Sequence, residues 1–140
     1  MLKIWGRRDS FNTQKVMWCV AELGIPHERI DAGGAHGVTD TTDYLAMNPN
    51  GRVPTIDDDG FVLWESNAIV RYLSARHGMG ALCPEDPRLR ADADRWMDWQ
   101  AATMGAFMRP LIITMFRTRP EDRVPEATRR QIDAASRLWT

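Results

Sequence analysis

Two short runs of residues carry side chains that could hold a small, peptide-like anion. The run 48–54 reads Asn-Pro-Asn-Gly-Arg-Val-Pro and ends in a Val-Pro pair that opens a predicted strand. After a short predicted hairpin, Glu65 and Ser66 lie at the mouth of a predicted helix. Because a helix N-terminus carries partial positive charge and free N–H groups, this mouth could bind a carboxylate.

Both residues at the helix mouth also have a purely structural interpretation. Ser66 stands where an N-cap is expected, and there its hydroxyl would accept a hydrogen bond from a free helix N–H. Glu65 could be an acid that the helix dipole favours in a first helical turn. The spacing alone therefore leaves binding and structural roles open.

The elements that must position these runs follow from the hydrophobic pattern. An apolar strand is predicted over 2–5, a helix over 12–23 that ends at Gly24, and a second strand over 27–31. A strand, a helix and a strand joined by brief links form a βαβ unit, whose two strands pair in parallel. The sequence therefore opens with an α/β layer.

The next stretch completes that layer with two more strands and two more helical segments. The predicted elements are a loop at 32–37, irregular helical turns at 41–47, strands at 53–57 and 61–64, and an amphipathic helix at 66–77. The two strands are joined by Asp-Asp-Asp-Gly, and an Asp-Gly pair is a strong hairpin signal. The order β-α-β-α-β-β-α predicts a small α/β domain over 1–78.

A change of composition separates a second, helical region from the first. Residues 79–87 contain a glycine and two prolines and are predicted to be a linker. A helix rich in Trp, Met and Ala is predicted over 88–117, with Pro110 as a kink or break, and another helix over 126–139. Residues 88–140 are therefore predicted to form an incomplete all-α domain.

The bulk composition makes several classes of partner unexpected. Lys and Arg number 18 against 19 Asp and Glu in 140 residues, so there is no electrostatic case for nucleic acid or an anionic membrane. Cys19 and Cys83 lie far apart and the three histidines are dispersed, which favours a reducing cytoplasm and no metal site. No run is apolar enough for a signal peptide or a membrane span.

The element order, the Asn-Pro-x-Gly-x-Val-Pro run and the Glu-Ser pair together resemble the glutathione S-transferase family. That resemblance implies a thioredoxin-like N-terminal domain followed by an all-helical domain. The run 9–16, Asp-Ser-Phe-Asn-Thr-Gln-Lys-Val, and the Glu-Leu-Gly at 22–24 are most similar to theta-related bacterial members. The resemblance covers residues 1–78 well and residues 88–140 more weakly, since the family's helical domain usually continues through several more helices.

The resemblance implies a glutathione site on the first domain. In the family the proline corresponding to Pro54 is cis, so that the Val53 backbone can pair with the cysteinyl unit of glutathione as an added strand. Without that role, Pro54 would simply start an edge strand. Ser66 would bind the γ-glutamyl carboxylate and Glu65 the ammonium, while Arg52 is either a partner of a glutathione carboxylate or a solvated charge.

The resemblance also implies thiolate chemistry in the turn after the first strand. A thiol with a pKa of about 8.5 is mostly protonated at neutral pH, and the thiolate is the nucleophile. Ser10 is the hydroxyl donor of the serine-type pattern, and Asn12 is the neighbour that some bacterial relatives use. Their structural alternatives are a turn residue and a helix N-cap. Cys19 is expected to be a buried apolar residue and Cys83 to be exposed.

The second substrate implied by the resemblance is a small hydrophobic electrophile bound between the two domains. Trp96, Trp99, Met104 and Met108 fall where the family builds that wall, although their spacing is equally that of a helix core or a dimer face. A homodimer is expected, formed by the 66–77 helix against the partner's 88–117 helix.

Three functions remain open at this point. The first is a glutathione transferase that acts in detoxification, with glutathione as co-substrate. The second is a non-catalytic module that binds glutathione or a protein, because a short helical domain would leave the apolar faces of 96–116 and 132–139 partly bare. The third is a glutathione-dependent disulfide reductase that uses Asn12 or Ser10 in place of a protein cysteine.

Overall fold

The computed structural model describes residues 1–137, and these divide into two compact units. The first unit runs from Met1 to Pro87, and the second begins at Arg88. The predicted helix end at Trp139 lies outside the described residues. The first unit contains strands and helices, and the second contains helices, as the hydrophobic pattern of each predicts.

The first unit is a four-stranded mixed sheet with helices, which confirms the predicted fold class. Its strands lie in the order β2-β1-β3-β4. β1 pairs with β2 in parallel and with β3 antiparallel, and β3 pairs antiparallel with β4. The elements are β1 (Leu2–Trp5), α1 (Phe11–Glu22), β2 (His27–Ile30), α2 (Thr42–Met47), β3 (Thr55–Asp58), β4 (Phe61–Trp64) and α3 (Ser66–His77).

A single apolar cluster holds this sheet against α1 and α3. The two helices pack against each other, and their inward positions recur at helical spacing. Inward strand positions alternate with exposed ones, as Leu2 and Ile4 do in β1. The buried members of the cluster are Leu2, Ile4, Val16, Cys19, Val20, Ile56, Ile69 and Leu73.

The connections of the first unit differ most from the prediction at two places. β3 begins at Thr55 instead of 53, because Val53 and Pro54 belong to the loop before it. The predicted loop at 32–37 contains a short 3-10 helix at Gly34–His36. The hairpin has a two-residue turn at Asp59-Gly60, in which both residues have positive φ, as type I′ turns require.

Both cysteines are buried, which corrects the expectation for Cys83. Cys83 is 8% exposed, since it lies in a turn where it bridges to Met79 and its amide donates to the Gly78 carbonyl. Cys19 packs in the apolar cluster as expected, and its sulfur lies 3.6 Å from the Ser74 hydroxyl. Burial raises the pKa of the Cys19 thiol, so this thiol is a poor nucleophile at neutral pH.

All the regular elements among the described residues of the second unit are helices. Its helices are α4 (Pro87–Trp99, whose first residue closes the first unit), α5 (Gly105–Phe116) and α6 (Pro125–Ser136), with a π-helical turn at Gln100–Met104 and a 3-10 helix at Pro120–Asp122. α5 packs against α6. α6 ends at Ser136, before the predicted end of the last helix.

Of the kink or break expected at Pro110, the break is wrong, because α5 continues through this residue, and the kink stays a prediction. Pro110 is exposed and removes only one backbone N–H donor, so the neighbouring hydrogen bonds hold the helix. The departure from the α-helical pattern lies earlier, where the Gly105 N–H reaches back to the Gln100 carbonyl across a π turn.

Candidate functional site

Ser10 is the N-cap of α1. Its side chain accepts a hydrogen bond from the Thr13 N–H at 3.4 Å, and its own N–H donates to the Arg7 carbonyl at 3.3 Å. Ser10 is 8% exposed, so it is held at the mouth of the helix with little freedom. Because capping uses the oxygen as an acceptor, the hydroxyl proton is left to donate to another group.

Asn12 is the second residue of α1 and its side chain is exposed. The N-cap role considered for Asn12 is therefore wrong, since Ser10 fills it. Asn12 remains in the first turn of the helix, where side-chain donors add to the positive end of the helix dipole.

The Val53–Pro54 peptide bond is cis. Pro54 is buried, Val53 is partly exposed and the Arg52 side chain is exposed. The loop after β2 approaches this segment closely, because a Cβ added at Gly33 would lie 3.3 Å from a Val53 methyl and 3.4 Å from Arg7 Nη1. The turn that precedes Ser10 and the Val53 segment are thereby brought to the same region of the unit.

A buried polar network fixes the backbone before Pro54. The Arg52 carbonyl accepts two hydrogen bonds, from the Tyr44 hydroxyl at 2.7 Å and from Asn48 Nδ2 at 2.8 Å. Asn48 Nδ2 also donates to Thr55 Oγ1 at 3.0 Å, and the Thr55 and Tyr44 oxygens lie 2.8 Å apart. Since Tyr44 donates its proton to Arg52, Thr55 is the donor in that last pair.

All three network side chains are almost fully buried, at 1%, 2% and 0% exposure for Tyr44, Asn48 and Thr55. Burial raises the pKa of the Tyr44 phenol above its ordinary value, although its bonds to Thr55 and Asn48 oppose the shift. Tyr44 is therefore a neutral donor at physiological pH. The sequence interpretation gave these residues no role, and Asn48 at the head of the 48–54 run was the one signal for them.

Glu65 occupies the N-cap position of α3 with φ 71° and ψ 109° and makes no side-chain cap bond. The expectation that Ser66 is the N-cap is therefore wrong: Ser66 is the first helical residue and is 5% exposed. A left-handed φ is uncommon for a residue with a side chain, and such positions concentrate at functional sites. The exposed Glu65 carboxylate and the first N–H groups of α3 lie together at this mouth.

One side chain connects the mouth of α3 to α1. Lys15 Nζ donates to Asn67 Oδ1 at 2.8 Å, across the packed pair of helices. Burial lowers the pKa of the Lys15 ammonium, while the negative charge of Glu65 acts in the opposite direction. Glu65 and Lys15 are thus opposite charges that interact near the start of α3.

The expected acceptor-wall residues all lie in the second unit. Trp96 and Trp99 make an edge-to-face contact in α4 with ring centroids 5.8 Å apart. Met104 lies in the π-helical turn and Met108 in α5, both partly exposed. These four positions follow one another along the helical stretch, and their place at an acceptor site stays a prediction.

The expected glutathione residues stand on helix termini and on a loop. A cavity of about 450 Å³ beside the start of α1 is lined by other side chains: Arg8, Thr13, Gln14, Met17, His27 and Arg29.

In the part of the chain that the structure describes, no group of three or more His, Cys, Asp or Glu side chains could hold a metal ion. None of the helices within residues 1–137 is long and apolar enough to span a bilayer.

Comparison with known proteins gives concordant matches. The glutathione S-transferase N-terminal domain family matches residues 9–76. The chain is 46% identical over 125 residues to glutathione S-transferase GstB of Escherichia coli K12, which covers 88% of the chain and 60% of GstB. It is 32% identical over 141 residues to the glutathione S-transferase-like protein gedE of Aspergillus terreus, covering 98% of the chain and 60% of gedE.

Among solved structures, a theta class glutathione S-transferase of Xanthomonas axonopodis pv. citri with glutathione bound is similar throughout the chain. The TM-score is 0.93 at 44% identity, over 98% of this chain and 66% of that one. The chain thus spans about 60% of the length of the two curated relatives.

Proposed function

Because the chain belongs to the glutathione S-transferase family, we propose that its first unit binds glutathione and stabilises the thiolate for attack on an electrophile. The observation that carries this proposal is the mouth of α3, where Glu65 is held at φ 71° next to the buried Ser66. This backbone brings a carboxylate and the first N–H groups of α3 to one point. A γ-glutamyl end group needs both, since it has an ammonium and a carboxylate on one carbon.

Ser66 and Glu65 bind different groups of the γ-glutamyl end. Ser66 lies in the first turn of α3, where its hydroxyl and backbone N–H suit a carboxylate. The exposed carboxylate of Glu65 suits the ammonium. The cysteinyl unit pairs with the Val53 backbone as an added strand next to Pro54, and Arg52, whose side chain is exposed, is a candidate partner for the second carboxylate of glutathione.

Ser10 is the proposed donor to the thiolate. Its hydroxyl keeps a free proton while it caps α1, and the positive end of the helix dipole favours a negative sulfur beside it. The thiol proton passes to solvent, the sulfur forms a bond to the electrophilic carbon, and the leaving group departs with its electron pair. Asn12 is the alternative donor in the same turn.

The protein would have two further partners, an electrophilic substrate and a second copy of the chain. A small hydrophobic electrophile would bind against Trp96, Trp99, Met104 and Met108, as the adaptable surface of methionine side chains allows. A homodimer would form through α3 and the partner's 88–117 helix. A cytoplasmic, detoxifying role stays a prediction.

Calorimetric titration with glutathione tests the binding step. We expect saturable binding by the wild type and weaker binding by Glu65→Ala and Ser66→Ala, with Glu28→Ala, an exposed acid on β2, as the matched control. No binding by a folded wild type would contradict the proposal.

Assays with two substrates then separate the chemistries. Turnover of an aromatic halide, lost in Ser10→Ala, indicates transfer to an electrophile. Reduction of a mixed disulfide, lost in Asn12→Ala, indicates the reductase alternative. Binding without either activity indicates a non-catalytic module.

A further inference from the structure

The cavity of about 450 Å³ beside the start of α1 is separate from the residues proposed to bind glutathione, none of which lines it. Its wall is made by the turn before α1, by one face of α1 and by two alternate residues of β2, a strand at one edge of the sheet. A ligand in this cavity would therefore contact a different set of side chains, which are Arg8, Thr13, Gln14, Met17, His27 and Arg29.

Positive charge is in excess around this cavity. Arg8 and Arg29 line it, and no acidic side chain among residues 1–137 does. Asp31 lies nearby and forms an ion pair with Arg29, with 2.6 Å between Oδ1 and Nη1. The hydrogen bond from Arg29, together with the charges of Arg29, His36 and Arg8, holds the pKa of Asp31 below its ordinary value. Because this one carboxylate balances only one of the two guanidinium charges, the cavity favours an anion.

Both guanidinium groups have donors left for such an anion. Arg29 Nη1 donates to the Gly6 carbonyl and to Asp31, each at 2.6 Å, so this side chain is held in place at 15% exposure. Its Nε and Nη2 donors have no hydrogen-bond partner within the described residues. The Arg8 side chain makes no hydrogen bond within residues 1–137, while its carbonyl accepts from Gln14 Nε2 at 2.9 Å. A guanidinium fork matches the oxygens of a phosphate or a carboxylate.

An imidazole and a hydroxyl in the wall are also suited to a polar ligand. His27 Nδ1 donates to the Ile25 carbonyl at 2.9 Å, which leaves Nε2 for another partner. Thr13 is 0% exposed, and its Oγ1 has no hydrogen-bond partner in the described part of the chain. Because nearly all buried polar groups in proteins are hydrogen-bonded, this hydroxyl indicates a polar occupant beside it.

We propose that this cavity binds a small phosphate monoester. Arg8 and the remaining donors of Arg29 bind the phosphate oxygens, and His27 Nε2 and Thr13 Oγ1 form hydrogen bonds to the same group. A phosphate monoester offers three acceptor oxygens, which suits a wall with four hydrogen-bonding groups better than a carboxylate does. The cavity volume lies within the range of pockets for small organic ligands, so the organic part has room against the partly buried Met17.

Three probes test this assignment. Phenyl phosphate carries a phosphate on an aromatic ring, benzoate carries a carboxylate on the same ring, and inorganic phosphate has no ring. Calorimetry measures their binding to the full chain as wild type, Arg8→Met and Arg8→Lys. Arg130→Met, which removes an exposed positive charge from α6, is the matched control. Circular dichroism checks that each variant is folded, and Arg8→Gln gives the same comparison if Arg8→Met is not.

We expect one saturable site for phenyl phosphate per chain, with benzoate and inorganic phosphate bound more weakly. Arg8→Met should weaken the binding of phenyl phosphate by roughly 10- to 100-fold, the range for a hydrogen bond to a charged group. Arg8→Lys should weaken it less, because lysine keeps the charge but lacks the guanidinium fork. Arg130→Met should bind like the wild type, and glutathione should not displace phenyl phosphate.

Failure of the folded wild type to bind phenyl phosphate would overturn the assignment. So would equal affinities of the wild type and Arg8→Met, which would mean that the anion binds elsewhere on the chain. Benzoate bound as tightly as phenyl phosphate would show that the cavity does not select phosphate, and tighter binding of inorganic phosphate would show that it recognises no organic part. Displacement by glutathione would make the cavity part of the glutathione site.

Discussion

The two units of the chain bury their apolar residues to very different degrees. In the first unit, Ile4, Ile56 and Ile69 are all 0% exposed. Among residues 88–137 of the second unit, Ala135 is the one buried residue, at 6% exposure. Several large apolar side chains of that unit are exposed: Leu89, Trp96, Phe107, Ile113, Met115, Phe116, Val124 and Ile132.

Because of this difference, side chains can be held in precise positions in the first unit. A side chain on a helix that packs on a buried cluster has few alternative places, because interiors are close-packed. The expected glutathione residues all belong to the unit with such a cluster. The expected acceptor residues belong to a unit whose described residues form helices with largely exposed apolar faces, and such surfaces can accommodate several shapes.

The largest expected effect tests the core of the first unit directly. Ile56→Ala removes a fully buried side chain and should cost about 2–5 kcal/mol of the free energy of unfolding. Ile113→Ala, at a position 41% exposed, should cost much less, below about 1 kcal/mol. Urea unfolding of both variants measures the difference. Equal losses of unfolding free energy in the two variants would contradict the difference in burial between the units.

A smaller effect is expected from the polar network of the first unit. Asn48→Ala leaves Thr55 Oγ1 and the Arg52 carbonyl with one hydrogen bond fewer each, at a cost of about 1–3 kcal/mol. Asn50→Ala is the matched control, because Asn50 is exposed and its side chain contacts the same Asn48. Glutathione affinity should fall with Asn48→Ala as well, since the Val53 segment loses its support.

The smallest effect should come from improving the second unit. α6 has Val124 at its N-cap with extended backbone and no side-chain cap bond. Val124→Asp would supply the missing acceptor and should stabilise the helix by about 0.5–2 kcal/mol. Amide hydrogen exchange in α6 measures the change, with the exposed Ser136→Asp at the other helix end as control. No slowing of exchange would show that fraying at this end does not limit the unit.

Much of the first unit was predictable because its signals are local. The bounds of β1, β4 and α3 match the prediction, since alternation, the Asp-Gly pair and the helix-ending glycine each depend on nearby residues. The position of Glu65 at the N-cap was not predictable, because a left-handed φ in a residue with a side chain follows from surrounding packing.

Other features could not be predicted from the sequence, because they too depend on packing between distant residues. The Tyr44–Asn48–Thr55 network needs residues that the chain brings together only when β3 is in place. The burial of Cys83 depends on a turn that closes back on Gly78. The expected break at Pro110 assumed that one missing N–H decides a helix, whereas the rest of α5 holds it.

The order of the strands has a consequence for how the chain folds during synthesis. β1 is made first, and its parallel partner β2 follows within the first 30 residues. The other side of β1 pairs with β3, which ends at Asp58, so this edge stays open until nearly twice as much chain has been made. An unpaired strand edge can pair with other chains. This edge of β1 is therefore open to pairing with other chains until β3 has been made.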